Sequence, residues 1–134
     1  MTSAVFPGRY TSLESISEFV IQAAQHAGLD DAAVYAVQLA VDEEATNIIE
    51  HGYGGEDLGE IGCQCEIVAE GLRIRLEDHA PPFDPQAVAQ PVLNVPLEDV
   101  RPRGLGLFFI HKMMDEVQFD FSPEGNTLTM LKRR

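Results

Sequence analysis

The chain has 134 residues, 45% apolar and 23% charged, ordinary proportions for one globular domain spanning 1–134. Its charge is less ordinary, with 22 acidic residues against 9 basic ones giving −13 at neutral pH. Such a surface repels phosphate backbones and anionic lipid heads, which argues against nucleic acid or a membrane as partner.

No apolar run approaches the ~18 residues that a membrane span needs. No basic stretch leading into an apolar core opens the chain, so a cytoplasmic location is expected. Residues 4–10 (AVFPGRY) predict a short strand interrupted at Pro7-Gly8, and the proline confines it to a sheet edge, where a partner can reach it. Thr11-Ser12-Leu13-Glu14 fits a capping box. Leu13, Ile16, Val20, Ala23, Ala24 and Ala27 then follow a helical stripe that ends at Gly28.

Asp30 or Asp31 caps a second, longer helix running to about His51. At ~100° per residue, Val34, Val37, Val41, Ala45, Ile48 and Gly52 gather on one side. Glu43, Asn47, Glu50 and His51 gather on the other. A solvated face accounts for such a polar side most simply. Glu43 and Asn47 nonetheless carry chemistry, because a carboxylate and an amide at i, i+4 project from the same face. The first can take a proton from a hydroxyl while the second gives an oxygen to a magnesium ion.

Ile61, Cys63, Cys65 and Ile67, then Leu72, Ile74 and Leu76, alternate around a Glu70-Gly71 turn and predict a hairpin. A disulfide between cysteines at i, i+2 is strained, and no further Cys/His pair stands nearby to complete a zinc site. Cys63 and Cys65 are therefore read as two thiols on one strand face. Asp78 closes the alternation. A carboxylate at a strand end can accept a hydrogen bond from an exocyclic amine such as that of adenine, and a turn-capping aspartate would look the same. His26, His79 and His111 have no second ligand at metal spacing.

From Pro81 to Pro102 the chain is proline-rich without periodicity. A loop of about twenty residues inside a compact domain is usually functional, and this one could close over a ligand as a lid. Gly104-Leu105-Gly106 opens a third helix. Glycines there let backbone N–H groups approach a phosphate at the positive helix end, although no GK[ST] follows to make a Walker loop. The Phe108-Phe109 and Met113-Met114 pairs read as core. Residues 117–121 and 127–132 form a last hairpin around Pro123-Glu124-Gly125-Asn126. The order β-α-α-β-β-loop-α-β-β implies an α+β fold, a two-layer α/β sandwich with helices on one face of a mixed, mostly antiparallel sheet.

Taken in order, Glu43-x-x-x-Asn47, Asp78-His-Ala-Pro-Pro-Phe-Asp-Pro85 and Arg103-Gly-Leu-Gly-Leu-Phe-Phe-Ile-His-Lys-Met-Met-Asp-Glu-Val117 resemble the GHKL, or Bergerat-fold, ATPases over nearly the whole chain. The closest likeness is to the bacterial anti-sigma-factor serine/threonine kinases of partner-switching modules. That resemblance implies an ATP-dependent protein kinase that holds a sigma factor and phosphorylates an anti-sigma antagonist protein. Glu43 would be the general base, and Asn47 would give an oxygen to Mg²⁺ on the ATP phosphates. Asp78 would bind the adenine amino group with Thr127 assisting, and His51 would line the same site. Gly104, Leu105, Gly106 and Leu107 would cradle phosphates through their backbone, beneath a lid of residues 86–103. A homodimer is implied as well.

Two departures stand out. Ala80 occupies a position where the family usually has glycine, and its methyl would restrict the backbone and crowd the adenine. The arginine that often precedes the phosphate-binding glycines has two candidates, Arg101 and Arg103. The alternative function is a non-catalytic ATP-binding module that tunes affinity for a signalling partner.

Overall fold

The computed structural model describes residues 1–81 and 102–134, the first five of the second stretch by backbone alone. Strand β1 (Thr2–Pro7) leads into helices α1 (Ser12–His26) and α2 (Asp31–Asn47). A π-helical turn, Ile48–Gly52, continues α2. Strands β2 (Glu60–Ile67) and β3 (Gly71–Asp78) follow, then helix α3 (Pro102–Met113) and strands β4 (Glu116–Ser122) and β5 (Gly125–Arg133). The strand order is β1-β2-β3-β5-β4 and these pairings are all antiparallel. As expected, β1 is an edge strand with Pro7 at its end.

Local chemistry sets the helix ends. Asp30 is extended and its Oδ1 accepts from the Ala33 N–H at 2.8 Å, so it, not Asp31, is the cap of α2. The capping box expected at Thr11 does not form. Thr11 is itself helical and makes no side-chain cap bond. The N–H groups of Ser12 and Leu13 instead donate to the carbonyls of Arg9 and Tyr10, at 3.0 and 3.1 Å, so a preceding turn does the hydroxyl's work. At the other end of α1, Gly28 has φ +79°, Leu29 N–H donates to Ala24 and Gly28 N–H to Gln25, which is a Schellman motif. Arg134 fastens this end by donating from Nε to the Ala27 carbonyl at 2.6 Å and from a terminal nitrogen to that of Ala69 at 2.7 Å.

Alternation along the strands divides the sheet into a covered and an open face. Ile61, Cys63 and Cys65 of β2, Leu72, Ile74 and Leu76 of β3, and Leu128 and Met130 of β5 are buried beneath the helices. Ile16 and Val20 of α1, Val37 and Val41 of α2, and Ile110 of α3 complete that core. Gln64, Glu66, Arg75 and Glu77 alternate onto the other face. The two cysteines lie side by side in the core as unpaired thiols, and their mutual hydrogen bond and burial push Cys63 up.

The division of α2 into two faces needs correction. Val37, Val41, Ala45 and Ile48 are buried as expected, but so are Glu44 and Asn47, while Glu50 and His51 are exposed. Two causes combine. Helix α2 packs against α1 on one flank and α3 on the other, so more than one stripe is covered. The π turn, in which Tyr53 N–H donates to the Ile48 carbonyl at 2.8 Å, also interrupts the 100° periodicity after Asn47.

Candidate nucleotide site

Three segments carry the expected site residues, and the first two meet at Gly52. The first is the end of α2. Asn47 is only 2% exposed, and its Nδ2 is the one buried side-chain nitrogen or oxygen that lacks a hydrogen-bond partner among the described residues. An unsatisfied buried amide costs about 1–3 kcal/mol, which marks a group built to meet something. One turn earlier, Glu43 is half-buried. Burial pushes its carboxyl above the usual range, and the nearby Asp42 and Glu50 carboxylates push it further. Glu50 in turn accepts from the Tyr10 hydroxyl at 2.8 Å.

The second segment is the loop leaving β3. Asp78 is buried, and its Oδ1 accepts from the Ala80 N–H and from Asn126 Nδ2, both at 2.9 Å. Gly52 joins this loop to α2, because a Cβ placed there would lie 3.3 Å from the Ala80 methyl and 4.0 Å from the Asn47 carbonyl. Ala80 is 2% exposed. Its methyl is thus packed into the protein against the hydrogen of Gly52, not turned out to crowd a ligand. Tyr53 clamps the same loop, its hydroxyl donating to the Glu60 carbonyl at 2.6 Å and accepting from the His79 N–H at 2.8 Å. Tyr53→Phe leaves both backbone groups without that partner and is expected to cost about 1–3 kcal/mol, read as a lower urea midpoint with an unchanged slope.

The third segment is the opening of α3. The helix starts at Pro102, two residues before Gly104, as suits a proline with no N–H to offer. Gly104 lies in its first turn, where N–H groups lacking intrahelical partners concentrate, and Leu105 and Gly106 follow it. Leu107 is buried, and its N–H, like those of Leu105 and Gly106, falls within the helical ladder. Arg103 is described by backbone alone. Arg101 and the expected lid, apart from its last two residues, lie outside the described residues.

One expectation changes. Thr127 does not stand beside Asp78. It pairs with Glu77 on the open face, whereas Asn126 pairs with Asp78 on the helical side and bonds to it. His51 is exposed in the π turn, one turn beyond Asn47, and among the described residues no hydrogen bond ties it to the Asp78 loop.

Fit to a metal–nucleotide pair follows from this donor set. Glu43 and Asn47 offer hard oxygen chemistry one turn apart, and no cluster of three or more His, Cys, Asp or Glu among the described residues could cage an ion. Magnesium suits such a place, since it is commonly held by one or two protein oxygens and the phosphates themselves.

An antiparallel sheet with helices on one face, and with the end of α2 packed on the loop that follows a strand-end aspartate, is an α/β sandwich of the ATPase type. A family model described as histidine kinase-like ATPase domain matches residues 6–132, and the chain belongs to that family. Within it, the chain is similar to the serine-protein kinase RsbW of Listeria monocytogenes serotype 4a (strain HCC23), with 34% identity over 127 residues, 92% of this chain and 79% of that protein. RsbW of Bacillus cereus (strain B4264) is 34% identical over 100 residues, 72% of this chain and 61% of that protein. Among solved structures, the RsbU and RsbW domains of Rv1364c from Mycobacterium tuberculosis match at a TM-score of 0.69 and 13% identity, covering 98% of this chain and 31% of that one. A likeness at that identity speaks for the fold alone. Among the described residues no helix is long and apolar enough to cross a membrane.

Proposed function

We propose that this chain is an ATP-dependent protein serine/threonine kinase of the RsbW type, acting as an anti-sigma regulator and phosphorylating an anti-sigma antagonist. The observation that carries the proposal is the buried, unsatisfied Asn47 amide at the end of α2, whose π turn packs through Gly52 against Ala80 of the Asp78 loop. Family membership and the kinase relatives support it.

In this reading Asp78 receives the exocyclic amine of adenine, and the first turn of α3 faces the phosphates with its N–H groups. Asn47 and Glu43 would hold magnesium-bound phosphate and the acceptor hydroxyl respectively. When bound, the ion offsets the negative charge that builds on the phosphate oxygens. Glu43 takes the proton from the substrate hydroxyl. Its raised affinity for protons makes it a stronger base than an exposed glutamate, provided the pH keeps it ionised. The −13 charge makes local phosphate donors necessary, because the surface as a whole repels ATP.

Titration of Mg-ATP into the protein, followed by calorimetry, tests the site. The parent is expected to release or absorb heat with a single saturable transition, and Asp78→Ala is expected to weaken binding at least ~100-fold, the scale of losing a buried recognition bond. No saturable binding by the parent removes the proposal. The non-catalytic alternative loses one of its motives, since the Ala80 methyl is packed away against Gly52. Transfer of radiolabelled phosphate to an antagonist protein separates the two functions. A homodimer is also proposed, with the β1 edge and its exposed Val5 as the surface that a second copy would cover.

A further inference from the structure

We infer that Asn126 is a positioning residue for choosing the base, an inference that rests on Asp78 being the adenine-recognition group. Asn126 Nδ2 lies 2.9 Å from Asp78 Oδ1, 3.3 Å from the Ala80 carbonyl and 3.1 Å from the Pro81 carbonyl. Three acceptors around one atom fix the orientation of the amide, because its oxygen in that place would face only other oxygens.

The consequence falls on Asp78. With Asn126 Nδ2 and the Ala80 N–H both on Oδ1, the carboxylate plane is held from two sides, and Oδ2 belongs to neither bond. A carboxylate fixed in this way is matched to a donor such as an exocyclic amine and opposed to an acceptor such as a ring carbonyl. The same side chain also spans the backbone at Ala80 and Pro81, where the chain departs toward α3. Register explains why this position can do so. Asn126 is directly opposite Asp78 across β3 and β5, while its neighbours Gly125 and Thr127 are not.

The experiment is a double cycle between side chain and ligand. Affinities of the parent and Asn126→Ala for Mg-ATP are compared with those for the Mg complex of purine riboside triphosphate, which differs from ATP only in lacking the exocyclic amine. Asn126→Ala is expected to weaken ATP by about tenfold or more, the worth of a well-placed bond to a charged group, and the amine-free analogue much less. Asn126→Asp, of equal size but without donors, is expected to show the same ATP-specific loss, and thermal melts of both variants record whether the fold is kept. Equal weakening of both nucleotides would reduce Asn126 to a structural residue and overturn the inference, as would no weakening of either. A parent that binds neither nucleotide would overturn the nucleotide reading itself and this assignment with it.

Discussion

Glu43→Gln is expected to retain Mg-ATP binding and lose phosphoryl transfer by about 10²–10⁴-fold, the usual contribution of a positioned general base. Glutamine keeps the shape and burial of the side chain while removing its ability to take a proton, so a loss confined to turnover isolates that role. Quantitative transfer of labelled phosphate at the parental rate would remove Glu43 from the chemistry. The pH profile gives a second check. The base works only when ionised, and its carboxyl is raised by burial and by the charges of Asp42 and Glu50, in that order. Transfer is therefore expected to fall, on acidification, at a pH above the ~4.3 of an ordinary glutamate. Asp42→Asn removes the neighbouring charge with the larger effect on Glu43 and should move that limb to lower pH. Glu50→Gln should move it the same way by less.

The same shift fixes a sign for stability. A carboxyl whose proton affinity is higher folded than unfolded leaves the native state holding the extra proton between the two values. Its contribution therefore weakens as pH rises through that window. In Glu43→Gln this fall is absent. A flatter stability curve on the acidic side, together with lost turnover, is the joint signature of a desolvated base.

Much of this architecture could be read from residue order because its signals are local. Two-residue alternation from Ile61 to Leu76 predicts the central hairpin, and Asp30 and Gly28 mark the helix ends where caps form. Glu43, Asn47 and Asp78 stood out because their chemistry falls at a helix-turn spacing and a strand end. What stayed hidden is non-local or depends on a single-residue offset. The last hairpin was expected to turn at 123–126 with a strand from 127, but the turn comprises only Pro123-Glu124 and the strand starts at Gly125. That shift carries Asn126 into the ladder beside Asp78 and leaves Thr127 on the far face, since strand sidedness reverses with every residue. The contact between Gly52 and Ala80 joins positions 28 apart and has no periodic signature. Nor does periodicity announce the π turn that separates Asn47 from His51.

Gly125→Ala should do the greatest damage of any single methyl added near the site, because two independent constraints meet there. Its φ of +152° lies in territory that side chains rarely occupy. A Cβ at that position would also sit well inside contact with the carbonyl oxygen of Asp78, a backbone atom that cannot swing aside as a side-chain tip can. Relief requires β3 and β5 to part at the Asp78–Asn126 pair. Strain and overpacking of this kind each cost about 1–3 kcal/mol, and together they should lower the melting temperature by roughly 10 °C or more in a domain of this size. Gly54→Ala is the matched control. There φ is +82° but a Cβ would meet nothing within 4 Å, so only the backbone term, about 1–2 kcal/mol, should remain. Nucleotide affinity separates the pair more sharply than heat does. Parting the strands at Gly125 frees the carboxylate that Asn126 holds, so ATP binding should weaken in Gly125→Ala even well below its melting point, and stay parental in Gly54→Ala. Equal melting temperatures for the two variants would mean that the hairpin yields without disturbing Asp78, and the close approach of Gly125 would then have no part in building the site.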